Sequence, residues 1–285
     1  MKIVSFSLEQ GNRYFGKIDG TRFFIGQRVS YEGNKGLMNV SGTKEQRYDR
    51  KAYEPQHGFW AHFIHPTSVA EGGLFHTLNT YDRARFTFTF LQYAAHVPNG
   101  DFVLYFRALL GLPSASEYFP DLRLHDGRIC KIGDDGPVEL ESDFSTEGLM
   151  QYFNPTLESI EDTEVIQSAR LIHWAQNDPA HRDVQIDVGI AHFREKMERY
   201  ALQYDLDGAP DTVCLVIADI RHQGRARSSA IMQALADADP LEALLGLGEP
   251  KYHERLLTLR REIARLVNEG TLGRKSYSLA VRDFV

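Results

Sequence analysis

The sequence of 285 residues contains few cysteines and no long apolar run. Its two cysteines, Cys130 and Cys214, lie in unrelated contexts and indicate neither a disulfide framework nor a cysteine metal cluster. No stretch of about 18 apolar residues is present, which excludes a membrane-spanning helix. The opening residues, MKIVSFSLEQ, lack the apolar core of a secretion signal. We therefore expect synthesis in the cytoplasm, and action outside it would require another delivery route.

Histidine and glycine occur without the spacing that zinc and phosphate sites need. His57, His62, His65 and His76 lie close together in the sequence, but no His-Glu-x-x-His string is present. The glycine pairs are not followed by Gly-Lys-Ser/Thr, so a phosphate-binding loop is not indicated. We expect a protein that requires neither a metal nor an organic cofactor, and a zinc-dependent peptidase built on the histidines stays an alternative.

The composition is that of a packed protein with an uneven charge. Hydrophobic residues make up 42% of the chain, with 17 Phe, 13 Tyr and 2 Trp, which excludes a largely disordered chain. The net charge is −7, yet residues 1–60 hold ten Lys and Arg against six Asp and Glu. The basic front end suits an anionic polymer and the acidic remainder a cationic one. No nucleic-acid-binding motif is present, so nucleic acid is not an expected partner.

Two patterns divide the chain. Residues 1–55 alternate aromatic and polar residues between glycine-containing turns such as Asp19-Gly20, which predicts strands and hairpins. Apolar residues then recur at helical spacing in three later segments, residues 99–112, 186–204 and 252–266. Residues 213–220 are apolar almost all round, which predicts a buried helix. Further Asp-Gly pairs predict a small β insert near residues 120–145. We therefore expect a mainly helical α+β protein, with a β-rich segment over residues 1–55 and one domain over residues 56–285.

Residues 65–96, HPTSVAEGGLFHTLNTYDRARFTFTFLQYAAH, contain the side chains that indicate chemistry. Pro66 suits the first turn of a helix and the pair Gly72-Gly73 ends it, which places Glu71 in the last helical turn. The C-terminal end of a helix dipole is negative, so the dipole and burial would together favour a protonated carboxyl group. A general acid requires that property.

A second carboxylate, Asp82, follows eleven residues later, ahead of an alternating segment. The alternation over residues 85–90 predicts a strand with one buried face and one face towards a wet cleft. The buried face would hold Phe86, Phe88 and Phe90, and the wet face Arg85, Thr87 and Thr89. Two carboxyl groups on opposite sides of a glycosidic bond, with a hydroxyl that holds water, are the groups that glycoside hydrolysis needs. A structural alternative is a turn in which Asp82 pairs with Arg83 or Arg85.

The run of Glu71, Asp82, Thr87 and Thr89 resembles the active-site segment of lysozyme-like glycoside hydrolases. The phage-type lysozymes are the most similar, followed by the chitosanases and the lytic transglycosylases. In that family a glutamate ends the first helix of the catalytic domain, an aspartate follows in a short hairpin, and a threonine lies on the next strand. The tripeptide Phe90-Leu91-Gln92 is similar to a run that follows the catalytic glutamate of lytic transglycosylases.

The C-terminal third extends the resemblance. The helix from Val213, with Asp219 near its end, is similar to the central helix of the family, and residues 252–260 are similar to its arginine-bearing late helix. The similarity covers about residues 60–110 and 210–265. The chain departs from the family where phage enzymes commonly have glycines, at Thr89 and Phe90, and its Glu-to-Asp spacing is slightly longer.

The resemblance implies a lysozyme-like catalytic core that cleaves β-1,4 linkages of peptidoglycan, with inversion and without a cofactor. It also implies that the protein acts at the cell wall or in the periplasm. Glu71 would protonate the leaving oxygen, and Asp82 would direct water together with one of the two threonines. The residues that the resemblance implies for substrate binding are Tyr81, Arg85 and Gln92.

Three alternatives remain for the same sequence. A chitosanase shares the two-carboxylate mechanism, and a lytic transglycosylase would leave Asp82 dispensable. A non-catalytic cell-wall-binding or structural protein would keep the shape without turnover. The sequence leaves the oligomeric state open.

Overall fold

The computed structural model describes residues 1–40 and 45–285, and these residues form two compact units. Unit 1 comprises Met1–Arg47 and Gly72–Val188, and unit 2 comprises Tyr48–Glu71 and Gly189–Val285. This division differs from the border expected between residues 55 and 56, because the long middle segment joins the N-terminal strands. The fold is mixed α+β, as expected, with 45% of the residues in helices.

A seven-stranded antiparallel sheet forms the first part of unit 1, with its strands in sequence order. The strands are β1 (Ser5–Glu9), β2 (Arg13–Ile18), β3 (Thr21–Tyr31), β4 (Asn34–Asn39), β5 (Leu78–Asn79), β6 (Thr87–Phe88) and β7 (Tyr93–Ala94). The turn between β2 and β3 is formed by Asp19 and Gly20, whose φ angles of 50° and 81° match the hairpin turn that an Asp-Gly pair favours. The prediction of a β-rich N-terminal segment is confirmed.

A smaller sheet of three strands follows in unit 1. Its strands are β8 (Leu122–His125), β9 (Arg128–Gly133) and β10 (Gly136–Glu139), and they pair antiparallel in the order β10-β9-β8. The first hairpin turns at Asp126-Gly127, where both residues have positive φ angles. The β insert predicted near residues 120–145 is confirmed.

The described residues contain helices in both units. In chain order they are α1 (Arg50–His57), α2 (Phe59–Phe63), α3 (His65–Ala70), α4 (Asp101–Leu110), α5 (Ala115–Tyr118), α6 (Glu147–Phe153), α7 (Asp162–Asn177), α8 (Pro179–Tyr204), α9 (Asp211–Gln223), α10 (Ser228–Leu235), α11 (Pro240–Gly246) and α12 (His253–Asn268). Helices α4 to α7 belong to unit 1, whereas α1 to α3 and α9 to α12 belong to unit 2. No helix in the described part of the chain has the length and apolar character needed to cross a membrane.

The core of unit 2 contains helix α9, in which ten consecutive residues, Asp211–Ile220, are buried. The prediction of a buried helix over residues 213–220 is therefore confirmed. Helix α12 matches the helical pattern of residues 252–266 and ends just before Gly270, whose φ of 74° is the left-handed backbone that closes many helices. A short two-stranded sheet, β11 (Tyr277–Ser278) and β12 (Asp283–Phe284), completes the unit.

Candidate functional site

Glu71 lies at the C-terminal end of α3, as the sequence predicted. Pro66 occupies the first turn of this helix, and the backbone N–H of Glu71 donates to the carbonyl oxygen of Thr67 at 3.0 Å. The chain then leaves the helix because Gly72 and Gly73 have φ angles of 97° and 66°, which glycine adopts without strain. The short helix thus ends on a carboxylate.

The carboxylate of Glu71 is nearly buried and is bound by an arginine of α12. Its side chain is 12% exposed, and its Oε1 accepts a hydrogen bond from Arg255 Nη1 at 2.6 Å. The Nε2 atom of His222, from the last turn of α9, lies 3.7 Å from the same oxygen. Two cationic or potentially cationic groups therefore lie next to one oxygen of Glu71.

A buried aspartate of α9 holds the arginine in place. Asp219 Oδ1 accepts from Arg255 Nη2 at 2.7 Å, and Oδ2 accepts from Arg255 Nε at 3.3 Å. Arg225 Nη1 also donates to Asp219 Oδ2, and the side chains of both residues are 0% exposed. We call Glu71, Arg255, Asp219, Arg225 and His222 the Glu71 network.

The charges of the network support one another. Burial alone would raise the pKa of Asp219, but the guanidinium groups of Arg255 and Arg225 outweigh it and hold this pKa below its ordinary value. Burial would likewise lower the pKa of Arg255, but the carboxylates of Glu71 and Asp219 raise it above its ordinary value. Asp219 and Arg255 are therefore both charged at neutral pH, and Arg255 is the donor in its hydrogen bond to Glu71.

Part of this network could be expected from the sequence. The resemblance pointed to the helices that contain Asp219 and Arg255, but neither residue was assigned a role. Asp219 is the one charged residue in the apolar run from Val213 to Ile220, and Arg225 follows α9 after Gly224. Buried charges are almost always paired, so a lone aspartate in such a helix predicts a cationic partner without identifying it.

Asp82 lies in unit 1, in the connection between β5 and β6. Its side chain is half-buried; Oδ1 accepts from the N–H of Ala84 at 2.8 Å, and Oδ2 accepts from Asn79 Nδ2 at 3.1 Å. Arg85 instead lies near Glu147, with 3.2 Å between Nη1 and Oε1. The carboxylate of Asp82 is therefore held within its own turn by neutral donors.

The prediction of a strand over residues 85–90 is wrong. Only residues 87–88 are extended as β6, because Arg85 and Thr89 have left-handed backbone with φ angles of 56° and 96°. The N–H of Thr89 donates to the carbonyl of Thr77 at 3.1 Å, so the chain turns there. The alternation of faces therefore does not extend beyond β6. The three phenylalanines are buried as expected, and so are both threonines: Phe86, Phe88, Phe90, Thr87 and Thr89.

The two threonines have different surroundings. Thr89 is 0% exposed, and its Oγ1 accepts from the N–H groups of Leu91 at 3.3 Å and Tyr93 at 3.4 Å. The expectation that Thr89 faces a wet cleft is therefore wrong, since its hydroxyl stabilises the turn. Thr87 is 6% exposed, and its hydroxyl has no hydrogen-bond partner among residues 1–40 and 45–285. Of the two, Thr87 is the one whose hydroxyl can bind a water molecule.

The remaining predicted binding residues are half-buried and also lie in unit 1. The ring of Tyr81 lies 6.1 Å from the ring of Tyr31, and burial raises the pKa of Tyr81. Gln92 has a positive φ of 53° and donates its backbone N–H to Thr89. The predicted site residues of unit 1 thus fall within residues 81–92, whereas Glu71 belongs to unit 2.

The histidines near Glu71 have separate environments. His62 Nδ1 bonds to Arg50 and His65 Nε2 to Arg265, at 2.8 and 2.9 Å. His76 is fully buried, and burial lowers its pKa to about 4. Within the described ranges, no group of three or more His, Cys, Asp or Glu side chains is arranged to hold a metal ion.

The chain was compared with protein-family models, with curated proteins and with solved structures. None of the three comparisons found a match.

Proposed function

We propose that the protein is a glycoside hydrolase with a lysozyme-like core that cleaves β-1,4 linkages of peptidoglycan, with Glu71 as the general acid. The Glu71 network is the observation that carries this proposal. Buried ion pairs often contribute no more stability than apolar side chains of similar volume. Four charged side chains, Glu71, Arg255, Asp219 and Arg225, are therefore better explained by chemistry at Glu71 than by packing of the helices.

The network fixes the position of the carboxyl group that we propose as the general acid. A general acid must hold its proton in a defined position near the leaving oxygen, and Arg255 defines the position of the Glu71 carboxyl group. Asp219 in turn holds Arg255 in place by two hydrogen bonds. Once the proton has moved to the leaving group, Arg255 stabilises the carboxylate that remains.

Water activation is assigned to Asp82 and Thr87. An inverting glycosidase requires a second carboxylate that acts as a base towards water. The Asp82 carboxylate is half-exposed and oriented by Asn79 and Ala84, and the Thr87 hydroxyl is available for one hydrogen bond to that water. Tyr81, Arg85 and Gln92 are proposed to bind the glycan.

Two related activities are favoured by specific observations. A chitosanase is favoured by the net charge of −7, since chitosan is cationic and an acidic protein attracts it. A lytic transglycosylase is favoured by the two hydrogen bonds that hold Asp82 within its turn, because that reaction needs one glutamate and no base for water.

The decisive experiment combines Glu71→Gln with a matched control. Glu262 is suitable because its side chain is 10% exposed and accepts from an arginine at 2.7 Å, against 12% and 2.6 Å for Glu71. Purified peptidoglycan and chitosan are digested and the new chain ends are identified by mass. We expect Glu71→Gln to lose more than about 100-fold in rate, as removal of a general acid does, and Glu262→Gln to stay active.

The chain ends distinguish the activities. A reducing end indicates hydrolysis and a 1,6-anhydro end indicates a transglycosylase. Activity close to wild type in Glu71→Gln would overturn the assignment of Glu71 as the general acid. No cleavage of either polymer by the wild type would overturn the proposal as a whole and leave a wall-binding or structural role.

A further inference from the structure

Unit 2 contains a pocket of about 650 Å³ that is separate from the Glu71 network. Helix α12 connects the two places. Arg255 is in its first turn, whereas Glu269, which lines the pocket, directly follows its last residue. Fourteen residues of helix correspond to about 21 Å, so the pocket is not an extension of the site at Glu71.

Cationic side chains line this pocket on two sides. Arg50 and Lys51 come from the start of α1, and Lys275 comes from the segment after α12. Arg50 is 4% exposed and is bound to His62 and Glu269. Neither lysine forms an ion pair with any carboxylate in the described part of the chain. Two ammonium groups at the pocket are therefore not neutralised by the protein.

The neutral lining groups also present donors. Arg50 has no acceptor atom, so His62 Nδ1 must accept its hydrogen bond at 2.8 Å, and Nε2 carries the hydrogen of the neutral ring. That Nε2 lies 3.3 Å from Glu54, whose side chain is 55% exposed. The hydroxyl of Thr271 lines the pocket without a hydrogen-bond partner among the described residues. A ligand that enters the pocket therefore meets N–H and O–H groups.

The two carboxylates of the pocket, Glu269 and Glu54, have different surroundings. Glu269 bonds to Arg50 and, at 2.9 Å, to Arg265. Burial alone would raise the pKa of Glu269, but these two guanidinium groups hold it below its ordinary value. The Oε2 atom of Glu54 lies 3.3 Å from His62 Nε2, and the Glu54 side chain extends towards solvent. Three cationic and two anionic side chains line the pocket, so its formal charge is +1, in a chain whose net charge is −7.

We propose that this pocket binds a phosphate group, as the free ion or as a monoester on a small sugar. Phosphate offers several acceptor oxygens and a double negative charge to Lys51 and Lys275, and charge-assisted hydrogen bonds of this kind are the strong ones. The volume lies within the range of small-molecule sites, so there is room for more than the ion. The ring of Phe59, 5.6 Å from Lys275 Nζ, supplies an apolar wall for a sugar face.

Calorimetry on the full chain tests this proposal with inorganic phosphate, glucose 6-phosphate and, as the neutral control, glucose. We expect both phosphates to bind and glucose not to bind. Lys51→Met and Lys275→Met keep most of the side-chain stem, and each should weaken phosphate binding about tenfold or more. Lys251→Met removes a lysine of the same unit that does not line the pocket, and its affinity should equal that of the wild type.

The outcomes separate this site from the proposed catalytic activity. Tighter binding of the ester identifies a sugar phosphate as the ligand, and equal or weaker binding identifies the free ion. Glycan cleavage should be unchanged in both lysine variants, because neither belongs to the Glu71 network. Failure of both phosphates to bind, or equal weakening by Lys251→Met, would overturn the proposal whatever the result of the cleavage assay.

Discussion

Both carboxylate oxygens of Asp219 accept hydrogen bonds from Arg255, at 2.7 Å from Nη2 and 3.3 Å from Nε. A two-point contact of this kind fixes the plane of the guanidinium group as well as its position. The remaining Nη1 is then directed at Glu71, which it meets at 2.6 Å. Asp219 therefore acts on Glu71 as a positioning residue, through Arg255.

Replacement of Asp219 by asparagine should destabilise the protein. The variant would leave Arg255 and Arg225 buried without their shared carboxylate, a change that typically costs about 3–5 kcal/mol. Urea unfolding measures the loss, and Asp205→Asn, the same change at an exposed residue of unit 2, should shift stability by less than about 0.5 kcal/mol. Equal stability of the two variants would show that Asp219 is not the anchor of the network.

The contribution of Asp219 to the stability of the fold should also disappear in acid. Its pKa in the folded state is below the value of about 3.9 for an unfolded chain, because Arg255 and Arg225 outweigh the effect of burial. The stabilisation is therefore complete above about pH 4 and is lost as the pH falls through the folded pKa. We expect the difference in unfolding free energy between wild type and Asp219→Asn to be constant from neutral pH to about pH 4 and to shrink below it. A difference that grows in acid would contradict this assignment.

Local patterns were sufficient for the parts of the fold that depend on neighbours in sequence. The turn at Asp19-Gly20, the helix that ends at Glu71 and the buried helix α9 all follow from turn chemistry, helix termination or apolar periodicity. Each of these signals lies within a few residues of the feature that it predicts.

The segment over residues 85–90 shows where local patterns were insufficient. Its alternation and its β-branched and aromatic residues favour a strand. The backbone instead turns at Arg85 and Thr89, and the turn at Thr89 is held by the distant carbonyl of Thr77. The middle segment likewise belongs to unit 1 because β4 pairs with β5, where Met38 lies opposite Asn79, 41 residues later in the sequence. No local pattern contains such contacts.

Glu164 of α7 should make stability depend on pH in the opposite direction from Asp219. Its side chain is fully buried beside Thr80, and burial raises its pKa to about 8. The folded state keeps a proton that the unfolded chain releases above about pH 4.3, so stability should fall as the pH rises towards about 8, by up to about 1.4 kcal/mol per unit.

Glu164→Gln removes this titration while it keeps the size of the side chain. Urea unfolding at about pH 5 and about pH 8 should show the variant gaining stability over wild type as the pH rises. Glu161→Gln, at the exposed start of the same helix, is the control and should show no such trend. A constant difference between wild type and Glu164→Gln at both pH values would mean that Glu164 is ionised in the folded protein.

Substitutions of Thr87 and Thr89 test a chemical role at one residue against a structural role at the other. Valine keeps the branched shape at both positions but cannot accept a hydrogen bond. Thr89→Val removes the hydroxyl that accepts from the N–H groups of Leu91 and Tyr93, so we expect a loss of about 0.5–1.5 kcal/mol in urea unfolding. Thr87→Val breaks no hydrogen bond among the described residues and should change stability by less than about 0.5 kcal/mol. Its glycan cleavage should nevertheless fall, because the valine cannot hold the attacking water. Full activity in Thr87→Val would remove Thr87 from the mechanism and leave Asp82 as the only proposed group for water activation.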